Sequence, residues 1–312
     1  MKTKLLNVGR LPGPLESRLA QSYELLTWPA NPEAAQALLA DHAASITGLV
    51  SSAAIGVSND LIDRLPHVRV ISNFGVGLDK IDVAYAKARG IAVGYTPDVL
   101  NDCVADTAFG LMLDIGRGLS AADRFVRDQK WTHTTFPLGF KVSGAKLGIV
   151  GMGRIGRTIA KRATGFDMEI RYHARNPVTD VTWAHVPSLL ELAKWSDFLI
   201  VITAGGSETK HLINADVLSA LGPQGFLINV ARGSVVDEIA LMEALEKKTI
   251  AGAGLDVFAN EPHVPERLMH LENIVMLPHI ASATQQTRQA MADRVFDNLT
   301  SFFKAGCLIS AA

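Results

Sequence analysis

The stretch Lys146-Leu-Gly-Ile-Val-Gly-Met-Gly-Arg-Ile-Gly156 decides the fold of this sequence. An apolar run leads into the glycines of Gly151-x-Gly153-x-x-Gly156, and Arg157-Thr-Ile-Ala-Lys-Arg-Ala163 follows with a helical pattern. In a strand, turn and helix of this kind, the first glycine permits a tight turn and the second lets the backbone approach a pyrophosphate. The third lets the helix pack closely on the strand. Glycine-rich turns also occur as plain structure, but this context predicts a dinucleotide-binding site.

Length and composition indicate a globular protein of two domains. The 312 residues exceed the usual size of a single domain. The 30 basic and 31 acidic residues nearly cancel, and the sequence has no dense basic run, so neither nucleic acid nor a membrane surface is expected as a partner. Met1–Gly9 is too short in its apolar part for a signal peptide, and later apolar runs are interrupted before membrane-spanning length. We therefore expect a cytosolic protein.

The two cysteines, Cys103 and Cys307, lie far apart in sequence and lack the spacing of metal ligands. A disulfide and a small apolar role are the two alternatives. We expect both cysteines to be small buried residues, and we expect no metal site.

The first hundred residues alternate apolar runs with helical patterns, which is typical of a parallel sheet with crossover helices. The predicted strands are Lys4–Val8, Tyr23–Trp28, Ile46–Val50, Arg69–Ser72 and Ile91–Tyr95. Helices are predicted to begin at Asn31 with Pro32, at Ser58 and at Ile81. A turn-like segment from Thr96 then leads to a long apolar helix predicted over Val104–Leu119.

The alternation resumes at Ala145 in the pattern of a doubly wound dinucleotide-binding domain. Later strands are predicted at Met168–Tyr172, Phe198–Ile202, Gly225–Val230, Ala251–Asp256 and Ile274–Leu277. Ala283–Lys304 has helical periodicity with no strand after it, and we expect it to return to the first domain. The predicted fold class is α/β, with two Rossmann- or flavodoxin-like domains of parallel strands and the active site in the cleft between them. Residues 1–97 plus 283–312 would form the substrate domain, and 98–282 the dinucleotide-binding domain.

The segment after the second strand of the dinucleotide-binding domain indicates the cofactor. An acid at this point would bind the 2′-hydroxyl of the adenosine ribose, but Tyr172-His-Ala-Arg-Asn-Pro177 contains none. Arg175 is instead suited to bidentate contact with a 2′-phosphate, and His173 could add a donor. This favours NADP(H), with NAD(H) possible. The alternative is that Arg175 is a solvated loop residue and the ribose is bound by backbone alone.

Three polar residues follow later strands at the edge where open α/β sheets bind ligands. Each alone has a simple structural explanation: Arg232 as a surface ion-pair residue, Glu261 as a loop carboxylate and His279 as a core histidine. Together they provide an anion clamp, a histidine that can exchange a proton and a carboxylate that biases the charge of that histidine. The set fits hydride transfer to a 2-keto acid.

A series of motifs along nearly the whole sequence matches one known family. The motifs are Asn73-Phe-Gly-Val-Gly-Leu-Asp79, Thr96-Pro-Asp-Val-Leu100, Gly151-Met-Gly-Arg-Ile-Gly156, Asn229-Val-Ala-Arg-Gly-Ser-Val-Val-Asp237, Ala253-Gly-Leu-Asp-Val-Phe258, Glu261-Pro262 and Pro278-His-Ile-Ala-Ser282. In their order and number they resemble those of the D-isomer-specific 2-hydroxyacid dehydrogenases, particularly the glyoxylate/hydroxypyruvate reductase branch.

This resemblance implies roles for the substrate-binding residues. Arg232 would hold the substrate carboxylate, His279 would donate the proton, and Glu261 would hydrogen-bond His279. Val76 and Gly77 would offer backbone amides to the same substrate.

The residues expected to contact the cofactor lie in the glycine motif and after the strands of the second domain. They are Gly151, Gly153, Arg154, Ile155, Gly156, His173, Ala174, Arg175, Asn176, Thr203, Ala204, Val230, Asp256 and Ala281. The resemblance implies that Asp256 lies near the nicotinamide carboxamide. The sequence departs from many relatives at Thr203-Ala-Gly-Gly-Ser-Glu-Thr209, where they have a Leu-Thr-Pro segment. Trp131 is similar to a tryptophan that relatives lend to a neighbouring subunit in a homodimer, with simple packing as the alternative.

The expected function is NADPH-preferring reduction of small 2-keto acids, glyoxylate or hydroxypyruvate first, to D-2-hydroxy acids. An aromatic 2-keto acid such as hydroxyphenylpyruvate is the close alternative, because nothing in the sequence fixes the pocket size. An alternative of another class is a dinucleotide-sensing, corepressor-like interaction protein. A phosphoglycerate dehydrogenase with a regulatory domain is disfavoured because the sequence ends soon after Lys304, and a formate dehydrogenase is disfavoured by Glu261.

Overall fold

The computed structural model describes residues 2–312, which form two compact units. The first unit runs through Leu100 and also contains Thr284–Ala312, and the second comprises Asn101–Ala283. Each unit is built around one sheet, and every pairing between its named strands is parallel. The predicted fold class, α/β with parallel sheets, is confirmed.

The first unit has a flavodoxin-like sheet. Its strands are β1 (Lys4–Asn7), β2 (Glu24–Thr27), β3 (Ile46–Ser52), β4 (Val70–Phe74) and β5 (Ala92–Gly94). They lie in the order β2-β1-β3-β4-β5. Four helices connect them: α1 (Gly13–Ser22), α2 (Pro32–His42), α3 (Asn59–Asp63) and α4 (Val83–Ala88). All residues of β4 are buried, as expected for an inner strand of a parallel sheet covered on both faces.

The second unit has a doubly wound sheet. Its strands are β6 (Lys146–Val150), β7 (Glu169–His173), β8 (Ala184–His185), β9 (Phe198–Val201), β10 (Phe226–Asn229), β11 (Gly252–Leu255) and β12 (Ile274–Met276). The order β12-β11-β10-β9-β6-β7-β8 places β6 between β9 and β7. The strand order therefore reverses at β6, and open α/β sheets bind ligands beyond the carboxyl ends of the strands at such a point.

Helices cover this sheet, and several begin at a polar side chain that accepts a backbone hydrogen bond. They are α5 (Asn101–Arg117), α6 (Leu119–Arg127), α7 (Arg154–Ala163), α8 (Leu189–Trp195), α9 (Ala215–Leu221), α10 (Glu238–Glu246) and α11 (Glu266–Met269). Ser188, Asn214 and Asp237 cap α8, α9 and α10. Short 3₁₀ turns of this unit lie at Lys130–Thr132, Thr164–Phe166, Ser207–Thr209 and Gly233–Val235. The first unit has one at Ala43–Ser45. All residues of β9, β10 and β11 are buried, so the core of the unit lies around these strands.

The last helix, α12 (Gln285–Ala305), belongs to the first unit. Ser72 on β4 donates its hydroxyl to the Val295 carbonyl at 3.3 Å, and the Asn298 amide donates to the Tyr95 carbonyl at 3.2 Å. Arg18 on α1 forms an ion pair with Asp293 at 2.6 Å. These bonds fix α12 against the sheet and α1.

Two details differ from the sequence-based expectations. The long helix α5 ends at Arg117 rather than Leu119, because Gly118 adopts a left-handed conformation (φ 65°) and α6 begins after it. The prediction that both cysteines are buried is wrong, since Cys103 is half-buried and Cys307 is exposed. Cys307 follows Gly306, which ends α12 in a left-handed turn.

None of the helices in residues 2–312 has both the length and the apolar character needed to cross a membrane.

Candidate active site

The glycine turn lies between β6 and α7, at the point where the strand order reverses. Gly151 has a φ of 106°, which side-chain-bearing residues rarely adopt, and an added Cβ would lie 2.9 Å from the Ile202 carbonyl oxygen. A Cβ on Gly156 would collide with the Gly151 carbonyl oxygen. Packing within the chain therefore requires both of these glycines.

Gly153 is different, because packing within the described chain does not require it. A Cβ there would meet no atom within 4 Å beyond its chain neighbours. Gly153 is the N-cap of α7, and no side chain caps this helix in the described structure. The space beside Gly153 and the amides of Arg154, Ile155 and Gly156 thus suit a pyrophosphate, which a helix N-terminus attracts. The turn fits a dinucleotide.

This difference between the glycines gives the first prediction. We expect Gly153→Ala to fold normally, since its φ of −78° and ψ of −162° are open to alanine, but to weaken NADPH binding about tenfold or more because the methyl group fills ligand space. Gly156→Ala is the matched variant, and we expect it to cost about 1–3 kcal/mol of folding free energy. Thermal unfolding and calorimetric NADPH titration measure the two effects. Wild-type NADPH affinity in Gly153→Ala would contradict this assignment.

The carboxyl ends of the central strands are tied to one another beside the glycine turn. Backbone hydrogen bonds run from Gly151 N to His173 O at 2.9 Å, from Ile202 N to Val150 O at 2.9 Å and from Val230 N to Val201 O at 3.2 Å. The predicted cofactor residues Thr203 and Ala204 follow directly after this junction. One edge of the sheet therefore carries the glycine turn together with the predicted residues that follow β7, β9 and β10.

The loop after β7 carries Ala174, Arg175 and Asn176, and several side chains hold it in place. His173 Nδ1 donates to the Val186 carbonyl at 3.0 Å, and His185 Nε2 donates to the Ala174 carbonyl at 2.9 Å, because a carbonyl can only accept. Arg175 forms an ion pair with Glu208 at 2.8 Å. The guanidinium predicted to bind a 2′-phosphate therefore has a carboxylate partner in this structure.

Further along the same edge of the sheet, the carboxyl ends of β10, β11 and β12 are aligned. Asp256 N donates to Asn229 O at 3.0 Å, Leu277 N to Leu255 O at 2.8 Å and His279 N to Asp256 O at 2.9 Å. Because these strands are parallel neighbours, the residues after them emerge at one edge. Arg232, Glu261 and His279 all follow these strands.

The turn that carries Arg232 is fixed by Asn229, the last residue of β10. Asn229 Oδ1 accepts from Ala231 N and Asn229 Nδ2 donates to Arg232 O, both at 3.1 Å. The next residue, Gly233, packs so tightly that an added Cβ would collide with the Phe258 carbonyl. Arg232 is half-buried, and its Nη1 donates to the Ala231 carbonyl at 2.8 Å. The sheet thus presents a guanidinium from a firmly held turn.

His279 and Glu261 form a hydrogen bond, with 2.7 Å between Nδ1 and Oε2. The other oxygen of Glu261 accepts from Phe258 N at 3.0 Å. Burial acts to raise the pKa of Glu261, but the bonds from His279 and Phe258 N and the charges of His279 and Arg232 outweigh it, so this pKa is lower than usual. Glu261 therefore stays ionised. His279 is exposed, so it is not a core histidine.

Asp256 fixes the turn around His279. His279 has a φ of 54°, an uncommon conformation for a residue with a side chain. The fully buried Asp256 carboxylate accepts from Ile280 N at 2.7 Å and from Ala281 N at 2.9 Å. Burial raises the pKa of Asp256 above its usual value, although these two amides and His279 act in the opposite direction. The carboxylate thus holds the backbone that carries the histidine.

The remaining predicted residues lie elsewhere. Val76 and Gly77 are half-buried in the loop after β4 of the first unit, where Asn73 Nδ2 donates to the Gly77 carbonyl at 3.0 Å. Trp131 lies in the 3₁₀ turn after α6 and is 69% exposed. Within residues 2–312, no group of three or more His, Cys, Asp or Glu side chains is placed to hold a metal ion.

Sequence reasoning missed three contributions that the structure shows. Asn229 fixes the Arg232 turn, Asp256 fixes the His279 turn, and Glu208 pairs with Arg175. The turn-holding roles of Asn229 and Asp256 could have been found, because each is a polar residue at the end of an apolar strand. No local pattern points to Glu208, since its partner Arg175 lies in another loop.

Comparison with known proteins agrees with this arrangement. Residues 109–281 match the family description "D-isomer specific 2-hydroxyacid dehydrogenase, NAD binding domain". The chain is 45% identical to glyoxylate/hydroxypyruvate reductase A of Arabidopsis thaliana, over 95% of this chain and 94% of that protein. It is 43% identical to hydroxyphenylpyruvate reductase of Plectranthus scutellarioides, again over 95% and 94%.

A solved structure is similar over the whole chain. It is the NADPH-dependent glyoxylate/hydroxypyruvate reductase of Sinorhizobium meliloti in complex with NADP and malonate. The two chains superpose with a TM-score of 0.93 and 43% identity, covering 100% of this chain and 97% of the other. Together with the match over residues 109–281, this establishes that the chain belongs to the D-isomer-specific 2-hydroxyacid dehydrogenase family.

Proposed function

We propose that this oxidoreductase uses NADPH to reduce small 2-keto acids, glyoxylate and hydroxypyruvate first, to D-2-hydroxy acids. The observation that carries the proposal is the Glu261–His279 pair, at 2.7 Å, at the same sheet edge as Arg232. The unit that holds these residues also carries the glycine turn suited to a dinucleotide. A proton donor, an anion clamp and a hydride source are what reduction of a keto acid requires.

Each residue of the site has a role that follows from the chemistry of its side chain. When bound, NADPH supplies the hydride that the keto carbon accepts. Arg232 binds the substrate carboxylate and so orients the carbonyl. His279 Nδ1 donates to Glu261, which leaves Nε2 as the nitrogen that gives its proton to the carbonyl oxygen. Glu261 stabilises the protonated imidazole and fixes its orientation.

Two observations support NADPH as the preferred cofactor. The first residues after β7, 174–177, include Arg175 and no acid to accept the ribose 2′-hydroxyl, and Asp180 further along the loop is bonded to Arg157. The similar Sinorhizobium meliloti enzyme is described as NADPH-dependent and was solved with NADP. A guanidinium gains a charge-assisted contact from the 2′-phosphate that NADH lacks.

A second candidate substrate is an aromatic 2-keto acid. The hydroxyphenylpyruvate reductase of Plectranthus scutellarioides is nearly as similar to this chain as the Arabidopsis glyoxylate/hydroxypyruvate reductase. Both candidate substrates would be bound by Arg232 and protonated by His279. They differ only in the side chain of the keto acid.

A panel of keto acids assayed with both cofactors tests the proposal. Glyoxylate, hydroxypyruvate and hydroxyphenylpyruvate are each compared at saturating NADPH and saturating NADH. We expect higher kcat/KM for the two small acids than for the aromatic one, and higher kcat/KM for NADPH than for NADH at a fixed keto acid. A higher kcat/KM for hydroxyphenylpyruvate would favour the second candidate, and absence of turnover with every acid would refute the reductase assignment.

The Glu261–His279 pair gives a pH prediction. Reduction needs the protonated imidazole and oxidation needs the neutral one, so the two directions should have opposite pH profiles. Glu261→Gln removes the charge that favours protonation, so the proton leaves at lower pH. We expect the midpoints of both profiles to move to lower pH. Profiles of kcat/KM in both directions measure this, and unchanged midpoints would show that Glu261 does not tune the histidine.

We also propose a homodimer that covers the segment from α6 to residue 139. Four large apolar side chains are exposed in this segment: Leu119, Val126, Trp131 and Leu138. A second copy of the chain that packed on this segment would remove these side chains from water. Sedimentation velocity tests the proposal, and a monomer at micromolar concentration would refute it.

A further inference from the structure

We propose that Glu208 competes with the cofactor 2′-phosphate for Arg175 and thereby limits the preference for NADPH. The inference rests on the proposed function, because it requires that Arg175 binds the 2′-phosphate. It adds a residue that sets cofactor specificity without any role in hydride or proton transfer. The argument starts from the ion pair between Arg175 Nη2 and Glu208 Oε2, at 2.8 Å.

The pair joins two loops that lie on either side of the glycine turn. Arg175 follows β7, and Glu208 lies in the 3₁₀ turn Ser207–Thr209 after β9. The strand order β9-β6-β7 means that these two strands flank β6, which leads into the glycine turn. Loops after such neighbouring strands border the crevice where the adenosine half of a dinucleotide binds. The ion pair therefore lies where an adenosine 2′-phosphate would meet Arg175.

The Arg175 loop is held by its own contacts and does not need Glu208 for its shape. Val178 N donates to the Tyr172 hydroxyl at 2.8 Å, and Arg157 Nη2 donates to Asp180 Oδ1 at 2.7 Å. His185 Nε2 donates to the Ala174 carbonyl at 2.9 Å. Removal of the Glu208 charge should therefore leave the Arg175 backbone in place.

The Glu208 turn is also fixed by local contacts. Thr209 Oγ1 donates to the Ala204 carbonyl at 2.7 Å, and Thr209 N donates to the Gly206 carbonyl at 3.2 Å. The two ends of the ion pair are thus presented by separately stabilised loops. Their side chains are 77% and 71% exposed, so the pair can open without unpacking a core. A ligand can replace one partner at low cost.

Charge decides the direction of the effect. A bound 2′-phosphate must displace the Glu208 carboxylate from the guanidinium, and the displaced carboxylate then lies near a phosphate of the same sign. NADH has a neutral hydroxyl at that position, which does not displace a carboxylate from a guanidinium, so the ion pair stays intact. Glu208 therefore lowers the affinity for NADPH more than the affinity for NADH. For an exposed pair, the expected effect is about two- to fivefold.

Calorimetric titration of the wild-type chain and of Glu208→Gln with NADPH and with NADH tests this. We expect the variant to bind NADPH about two- to fivefold more tightly, with a smaller change for NADH, and the gain to shrink at high salt. Glu246→Gln is the matched control, because it breaks another exposed pair at 2.8 Å, with Arg267, on α10 and α11. We expect the control to change neither affinity.

The double variant separates this inference from the proposed function. Arg175→Ala should weaken NADPH binding, and adding Glu208→Gln to it should give a smaller gain than in the wild-type background, because no guanidinium is left to compete for. If Arg175→Ala weakens NADPH but Glu208→Gln leaves it unchanged or weakens it, only the competition is refuted. If Arg175→Ala leaves NADPH unchanged, the proposed 2′-phosphate site fails as well.

Discussion

Replacing His279 with alanine should lower kcat for keto-acid reduction by about 10²–10⁴-fold, the usual contribution of a positioned general acid. Nε2 is the nitrogen that can give a proton to the substrate, since Nδ1 is engaged by Glu261. No proton donor replaces it in the variant, so the alkoxide must take its proton from water. Because the glycine turn is separate from the turn that carries His279, the affinity for NADPH should change little.

Steady-state kinetics with calorimetric NADPH titration measures these two quantities. His270→Ala is the matched control, because His270 is another exposed histidine of the same unit, 3.6 Å from Glu266. We expect the control to keep wild-type kcat. Added imidazole should partly restore kcat in His279→Ala, because a small donor can enter the space that the side chain leaves. Near-normal kcat in His279→Ala would remove this residue from the chemistry.

Much of the fold could be predicted because buried parallel strands are continuous apolar runs. The predicted strand Phe198–Ile202 corresponds to β9, all of whose residues are buried. Residues that follow parallel strands must emerge at one edge, so Arg232 and His279 could be grouped from sequence position alone. The roles of these residues in catalysis stay predictions.

The rest depends on contacts between distant segments. The left-handed φ of His279 is stabilised by surroundings that include Asp256, 23 residues earlier in the sequence, and a local pattern does not encode it. The Arg175–Glu208 pair joins two loops whose relative position follows only from the strand order. Cys307 was predicted to be buried from residue type, but its exposure depends on where α12 ends.

The second large effect concerns Arg232. We expect Arg232→Ala to raise KM for the keto acid and lower kcat, with kcat/KM reduced by about a hundredfold or more, because both binding and orientation of the carboxylate are lost. Arg232→Lys keeps the charge but loses the planar fork, so it should be impaired to a smaller extent. Both effects are read from steady-state kinetics at saturating NADPH.

Folding must be separated from binding in this experiment, because Arg232 Nη1 donates to the Ala231 carbonyl within its own turn. Asn229 holds that turn independently, through bonds to Ala231 N and Arg232 O, so the melting temperature should change little in either variant. Arg267→Ala, which removes an exposed arginine paired with Glu246, is the control for loss of a positive charge from the same unit. A wild-type melting temperature with impaired kcat/KM would assign Arg232 to the substrate carboxylate. Normal kinetics for both Arg232 variants would exclude that role, because a carboxylate bound elsewhere would not respond to the loss of this guanidinium.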